Sequence, residues 1–172
     1  MRNKQPNKSN PNWVVLRSQL QTKLLFIHVV APITLGGIIY LLFRDKTLMM
    51  FRWADAIGVK PVLDDIRIYC TTIQMDNLKW FFFSLPDGLW VYSFTSFMLI
   101  VWGLKFSRHS IFWISIGPLL ALCGEMGQAF GVVRGTFDPI DLLLCLIGSI
   151  LPVVILFSAN QEKFYSNKEA FS

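Results

Sequence analysis

Apolar positions in this chain come in long blocks, and the polar ones gather between them. Residues 24–43 read LLFIHVVAPITLGGIIYLLF, with His28 as the one strongly polar member. A second block covers 85–104 with Pro86 and Asp87 at its entrance, a third covers 111–128, and a fourth 140–157. About 20 apolar residues in a helix cross a hydrocarbon core roughly 30 Å thick, so each block predicts a membrane span. Pro32 is absorbed as a kink, because neighbouring helices and side chains re-satisfy the backbone groups it frees. Asp87 is expected to cap the second span. The third is apolar only as far as Leu122 and then meets Gly124, Glu125 and Gln128, which predicts an end buried against protein or water. The expected fold is all-α, a polytopic membrane helical bundle of about four transmembrane helices.

The connection between the first two blocks, residues 44–83, is too long for a plain turn and carries amphipathic periodicity. Met49, Met50, Trp53 and Ile57 share one helical face while Arg52 and Asp55 lie elsewhere, as in a helix lying on a membrane or on the bundle. Pro61 opens a second such helix, with Leu63, Ile66, Cys70 and Ile73 on one face and Asp64, Asp65 and Arg67 off it. Adjacent aspartates on a helix point in different directions, and no acidic residue follows at the fourth position. Asp64 and Asp65 therefore read as a solvated face rather than a metal pair.

Composition strengthens the membrane reading. Of 172 residues 53% are hydrophobic and the mean hydropathy is +0.49, one domain's length but not an ordinary soluble domain's make-up. The net charge of +5 is mostly topological. The first 23 residues carry Arg2, Lys4, Lys8, Arg17 and Lys23 and no acidic residue, which predicts a basic, partly disordered cytoplasmic N-terminus. Lys105, Arg108 and the 158–172 tail fall on the same side of an even number of spans, leaving the 124–139 loop outside. Against this, the 44–83 connection holds six basic residues and five acidic ones. Membrane lipid is the expected partner, and no nucleic acid is implied. The first block is longer than a signal-peptide core and no small-residue cleavage site follows, so it reads as a retained anchor. Three cysteines without a CxxC argue against a quinone-linked thiol oxidoreductase on a four-helix membrane bundle, and Cys123 and Cys145 read as packing residues. His28 lacks a second ligand four positions away and reads as a packed residue.

Candidate chemistry is concentrated in GEMGQAFGVVRGTFDPIDLLLCLIG, residues 124–148. Asp138 before Pro139 fits an N-cap followed by a first helical residue. Asp141 falls at the positive end of the same helix and shares a face with Cys145 and Gly148. Glu125 and Gln128, three apart, face the same way. A glutamate at that depth needs a cation, a proton or water, and Arg134 is the evident partner. If Glu125 and Arg134 pair, the cluster is a structural tie. If they line a cavity, Glu125 and Asp141 are the candidate catalytic carboxylates, with Gln128, Arg134, Asp138 and Asp87 as ligand-binding residues. In that arrangement Arg134 suits an anionic head group, and Asp138 with Asp141 could hold a divalent cation, though no cofactor is required.

The order Glu125, Gln128, Arg134, Asp138, Asp141 and Gly148 across two consecutive apolar blocks resembles the E-x-x-Q, R, D-x-x-D, G pattern of the VanZ-like family of small bacterial membrane proteins. The resemblance covers mainly the last third of the chain. It implies a compact multi-helix fold, a multi-pass place in the bacterial cytoplasmic (inner) membrane as part of the cell envelope, and, in the founding example, low-level resistance to teicoplanin. It brings no settled biochemical activity. Members often carry D-K with a following His at the entrance of an earlier span, whereas Asp87 is followed here by Gly88, Leu89 and Trp90. Three functions are therefore expected in turn: an outward-facing polar pocket that binds or modifies a lipid-linked or anionic amphiphile, a non-enzymatic accessory or scaffold with a membrane-protein partner, and a small-molecule transporter.

Overall fold

A computed structural model describes residues 19–44, 49–73 and 79–169, all helix or short connection. The basic lead and the last residues of the tail lie outside the described residues. Six helices are described: α1 Gln19–Phe43, α2 Met49–Ala56, α3 Lys60–Ile73, α4 Lys79–Val101, α5 Arg108–Ala129 and α6 Pro139–Glu169. Among the described residues, three stretches are long and apolar enough to cross a membrane, namely α1, α5 and Pro139–Ser158 of α6. The expected second span corresponds to α4, which is long enough but carries Ser84, Pro86, Asp87, Ser93, Thr95 and Ser96.

Those polar residues are placed by packing. α4 runs through the middle of the bundle and touches α1, α5 and α6. Ser84, Ser93, Thr95 and Ser96 are buried at those contacts, where small side chains let helices approach closely. Aromatic pairs and shared core residues set the directions. His28 meets Tyr92 and Phe43 stacks on Phe82, so α1 and α4 are antiparallel. Phe94 lies against Gly117, and further along Ile100 shares a buried cluster with Ile114, so α5 is antiparallel to α4. Gly88 meets Gly148, and further along Leu99 shares that buried cluster with Leu156, so α6 runs parallel to α4.

Local chemistry fixes the ends. After α4, Gly103 at φ +58° donates to Ile100 O and Leu104 to Leu99 O, a Schellman stop whose Leu104 folds back on the Leu99 core. Ser107 then caps α5, its hydroxyl accepting from Ser110 N–H at 3.1 Å while its own N–H donates to Ser110 Oγ at 2.7 Å. In α1 the expected kink takes the form of a π turn over Phe26–Val30. Pro32 has no N–H to give His28 O and its ring crowds that carbonyl, and widening the helix relieves both.

The bundle thus has an apolar end and a polar end. Leu99, Ile100, Ile114 and Leu156, with Leu24, Leu25 and Val29, fill the first. The end of α1, the start of α4, the end of α5 and the start of α6 meet at the other. α2 and α3 dock there through Arg67, which is buried, lies 4.7 Å over the Phe51 ring and donates to the last carbonyls of α1, Leu41 O and Arg44 O. The predicted apolar face of α2 does not pack inward: Phe51 and Ala54 are buried, while Met49, Trp53 and Ile57 are exposed.

Candidate functional site

Asp138, at the polar end, begins α6 as its sequence predicts, its Oδ1 accepting from Ile140 N–H at 2.8 Å. Its own backbone N–H faces the Glu125 carboxyl at the end of α5. Glu125 lies within electrostatic reach of Asp141, Asp87 and Asp138, so four carboxylates from three helices share one region. Cys145 is buried among them, one turn along from Asp141.

The position of Asp87 corrects the expectation that it caps the second span. It sits nine residues into α4, because the aromatic turns before it extend the helix towards the polar end and pack there, Phe82 stacking on Phe43 at 4.1 Å. Tertiary packing thus carries the helix through Pro86 and Gly88, two residues that ordinarily interrupt one. In that position Asp87 pairs with Arg44 at 3.5 Å, both side chains half-buried. Arg44 also donates to Phe83 O at 3.1 Å and lies over the Tyr40 and Phe83 rings.

Close helix contact holds the carboxylates together. A Cβ built on Gly148 would meet Gly88 O at 2.3 Å, and one on Gly88 would meet Leu144 Cβ at 3.0 Å. α4 and α6 therefore cross backbone to backbone beside Asp87 and Asp141. Like charges within electrostatic reach of one another repel, and Arg44 offsets part of that at Asp87. Glu125 Oε2 and Asp141 Oδ1 are buried and accept no hydrogen bond.

Two expected site residues stand apart. Arg134 is exposed on the loop after α5 and forms no ion pair among the described residues, so the expected tie to Glu125 is not made. Gln128 faces that loop: a Cβ on Gly135 would meet its Cδ and Nε2 at 2.8 Å. Arg44 was not legible as a site residue, since its position after an apolar block marks only a span end. Nor was the hydrogen bond of 2.6 Å between His28 Nδ1 and the Tyr92 hydroxyl, which joins residues 64 apart in sequence. Among the described residues no three His, Cys, Asp or Glu side chains are grouped to hold a metal ion.

What the arrangement can do follows from its donors and acceptors. It is rich in carboxylate acceptors, partly buried between the helices, with Arg44 as the cation paired to Asp87. Groups that donate hydrogen bonds, such as hydroxyls, are its natural complement. No family model matches the chain, and neither a curated protein nor a solved structure matches it.

Proposed function

We propose that the chain is a four-span, VanZ-like protein of the bacterial cell envelope whose polar end binds the sugar head of a lipid-linked amphiphile. Support for α4 as a fourth span comes from its length, 23 residues, or roughly 34 Å at about 1.5 Å per residue. Its polar side chains are covered by α1, α5 and α6, so α4 need not be as apolar as a lipid-facing helix. Direction alternates along α1, α4, α5 and α6, in keeping with four crossings. The basic turn of Lys105 and Arg108 lies at the end opposite the carboxylates, which favours a polar end facing outward and termini in the cytoplasm.

The observation that carries the ligand class is the pair of buried carboxylate oxygens, Glu125 Oε2 and Asp141 Oδ1, without donors. A buried acceptor without a partner costs about 1–3 kcal/mol, more when charged. Sugar hydroxyls would supply the missing donors, and Asp87 offers a third acceptor at the same end. An anionic group would instead be repelled, so the phosphate of the amphiphile lies outside the carboxylates. If the ligand is also modified, Glu125 is the candidate acid–base group and Asp141 its neighbour in charge.

A second reading has its own support: the Arg44–Asp87 pair and the Asp138 cap tie helices together, as in an accessory protein whose polar end is a structural lock. Titrating the purified protein with a polyprenyl-phosphate sugar, and separately with the sugar-free polyprenyl phosphate, separates the two. Sugar-site binding raises the melting temperature with the first lipid only. An equal rise with both lipids, or none, would rule the sugar site out.

A further inference from the structure

The loop that leaves α5 presents an unusual surface. Phe130, Val132, Val133 and Phe137 are exposed, Val132 at 83% the most of any large apolar residue described. The same loop carries one charge, Arg134, exposed and outside any ion pair among the described residues. The loop is not a loose tether. Val132 N–H and Val133 N–H both return to Gly127 O, at 2.8 and 3.0 Å, and Gly131 adopts φ +69° to allow the reversal. Gly127 lies under Val133 and Gly135 over Gln128, so the loop is folded onto the end of α5 with its apolar side chains turned out.

Its surroundings decide what covers it. The loop joins two helices apolar enough to cross a membrane, α5 and α6. Met126 on α5 and Leu143, Leu146, Ile147 and Ile150 on α6 are exposed as well, so the apolar surface of those helices continues onto the loop. We infer that the 130–137 loop seats in the headgroup region of the membrane, its apolar side chains entering the acyl boundary and Arg134 binding the phosphates of anionic phospholipids. Apolar residues around a basic one suit that boundary, where chains are buried and phosphates lie at hand. A guanidinium can hold a phosphate by two parallel hydrogen bonds, and its stem tolerates apolar surroundings. The inference rests on the membrane placement of α5 and α6, and not on the sugar site.

The test uses the full chain in vesicles of phosphatidylcholine, alone or mixed with phosphatidylglycerol. Val132→Trp adds a reporter on the loop. Its added emission is expected to be blue-shifted and quenched by phosphatidylcholine brominated high on the acyl chains. Emission characteristic of water, unquenched, overturns the inference. For the charge, native mass spectrometry of protein exposed to both lipids is expected to show phosphatidylglycerol retained over phosphatidylcholine. Arg134→Gln should lower that preference about fivefold, the share of one basic residue near an anionic surface, and Arg134→Lys should keep most of it. An unchanged preference in Arg134→Gln overturns the proposal. So does its loss in Glu125→Gln, which would assign the lipid to the carboxylates instead.

Discussion

Arg67 shows how one buried charge can fasten an amphipathic hairpin to a bundle. The last carbonyls of a helix have no partners within it, and they carry the negative end of its dipole. Arg67 meets two of these at the end of α1, Leu41 O and Arg44 O, while its plane lies over Phe51. Arg67→Ala leaves both carbonyls without that donor and is expected to lower stability by about 2–3 kcal/mol. Arg67→Lys, a point donor without the fork, should recover less than half of the loss. Thermal melting in a mild detergent measures both. Legibility at this scale depends on whether a residue's role is local. Asp138 was readable, because a cap needs only its own helix and Pro139 marks the start. Arg67, Arg44 and Asp87 were not, since the side-chain hydrogen bonds and the ion pair they make reach 23 to 43 positions along the sequence.

Elements were readable where hydrophobicity alone defines them. The blocks 111–128 and 140–157 lie within the helices Arg108–Ala129 and Pro139–Glu169. α4 was harder, since the signals that mark a turn in water, Pro86 and Gly88, sit in the middle of a packed helix. Gly88 lies there because of its partner: the α4–α6 crossing admits no Cβ on Gly148. Gly148→Ala must push a backbone carbonyl aside, and strain of this kind costs about 1–3 kcal/mol. Gly124→Ala, with nothing within 4 Å of the added methyl, should cost nothing and can gain a few tenths of a kcal/mol from helix propensity. The midpoints of denaturation by sodium dodecyl sulfate compare the two. Equal midpoints would mean that the crossing is not close packed.

At the scale of the molecule, charge and apolarity are divided between two ends. One end is a buried apolar core of Leu99, Ile100, Ile114 and Leu156. The other gathers the carboxylates, Arg44, the α2–α3 hairpin and the apolar loop. The proposed topology sets these ends on opposite faces of the membrane. With Cys70, Cys123 and Cys145 replaced by alanine, Thr136→Cys is expected to react with an impermeant maleimide on intact cells, and Phe106→Cys only after permeabilisation. The reverse pattern would invert the orientation.

On the proposed function, Glu125 and Asp141 are kept for a ligand and not for the fold. Two unsatisfied acceptors in an acidic cluster should cost stability, and groups held against the interest of the fold are typical of functional sites. The melting temperature of the Glu125→Gln, Asp141→Asn double variant, with and without the polyprenyl-phosphate sugar, tests this most directly. A binding site predicts a variant at least as stable as the wild-type protein, in which the lipid-linked sugar no longer raises the melting temperature. A variant that melts well below wild type yet still responds to the lipid-linked sugar would make the two carboxylates part of the fold and place the sugar elsewhere.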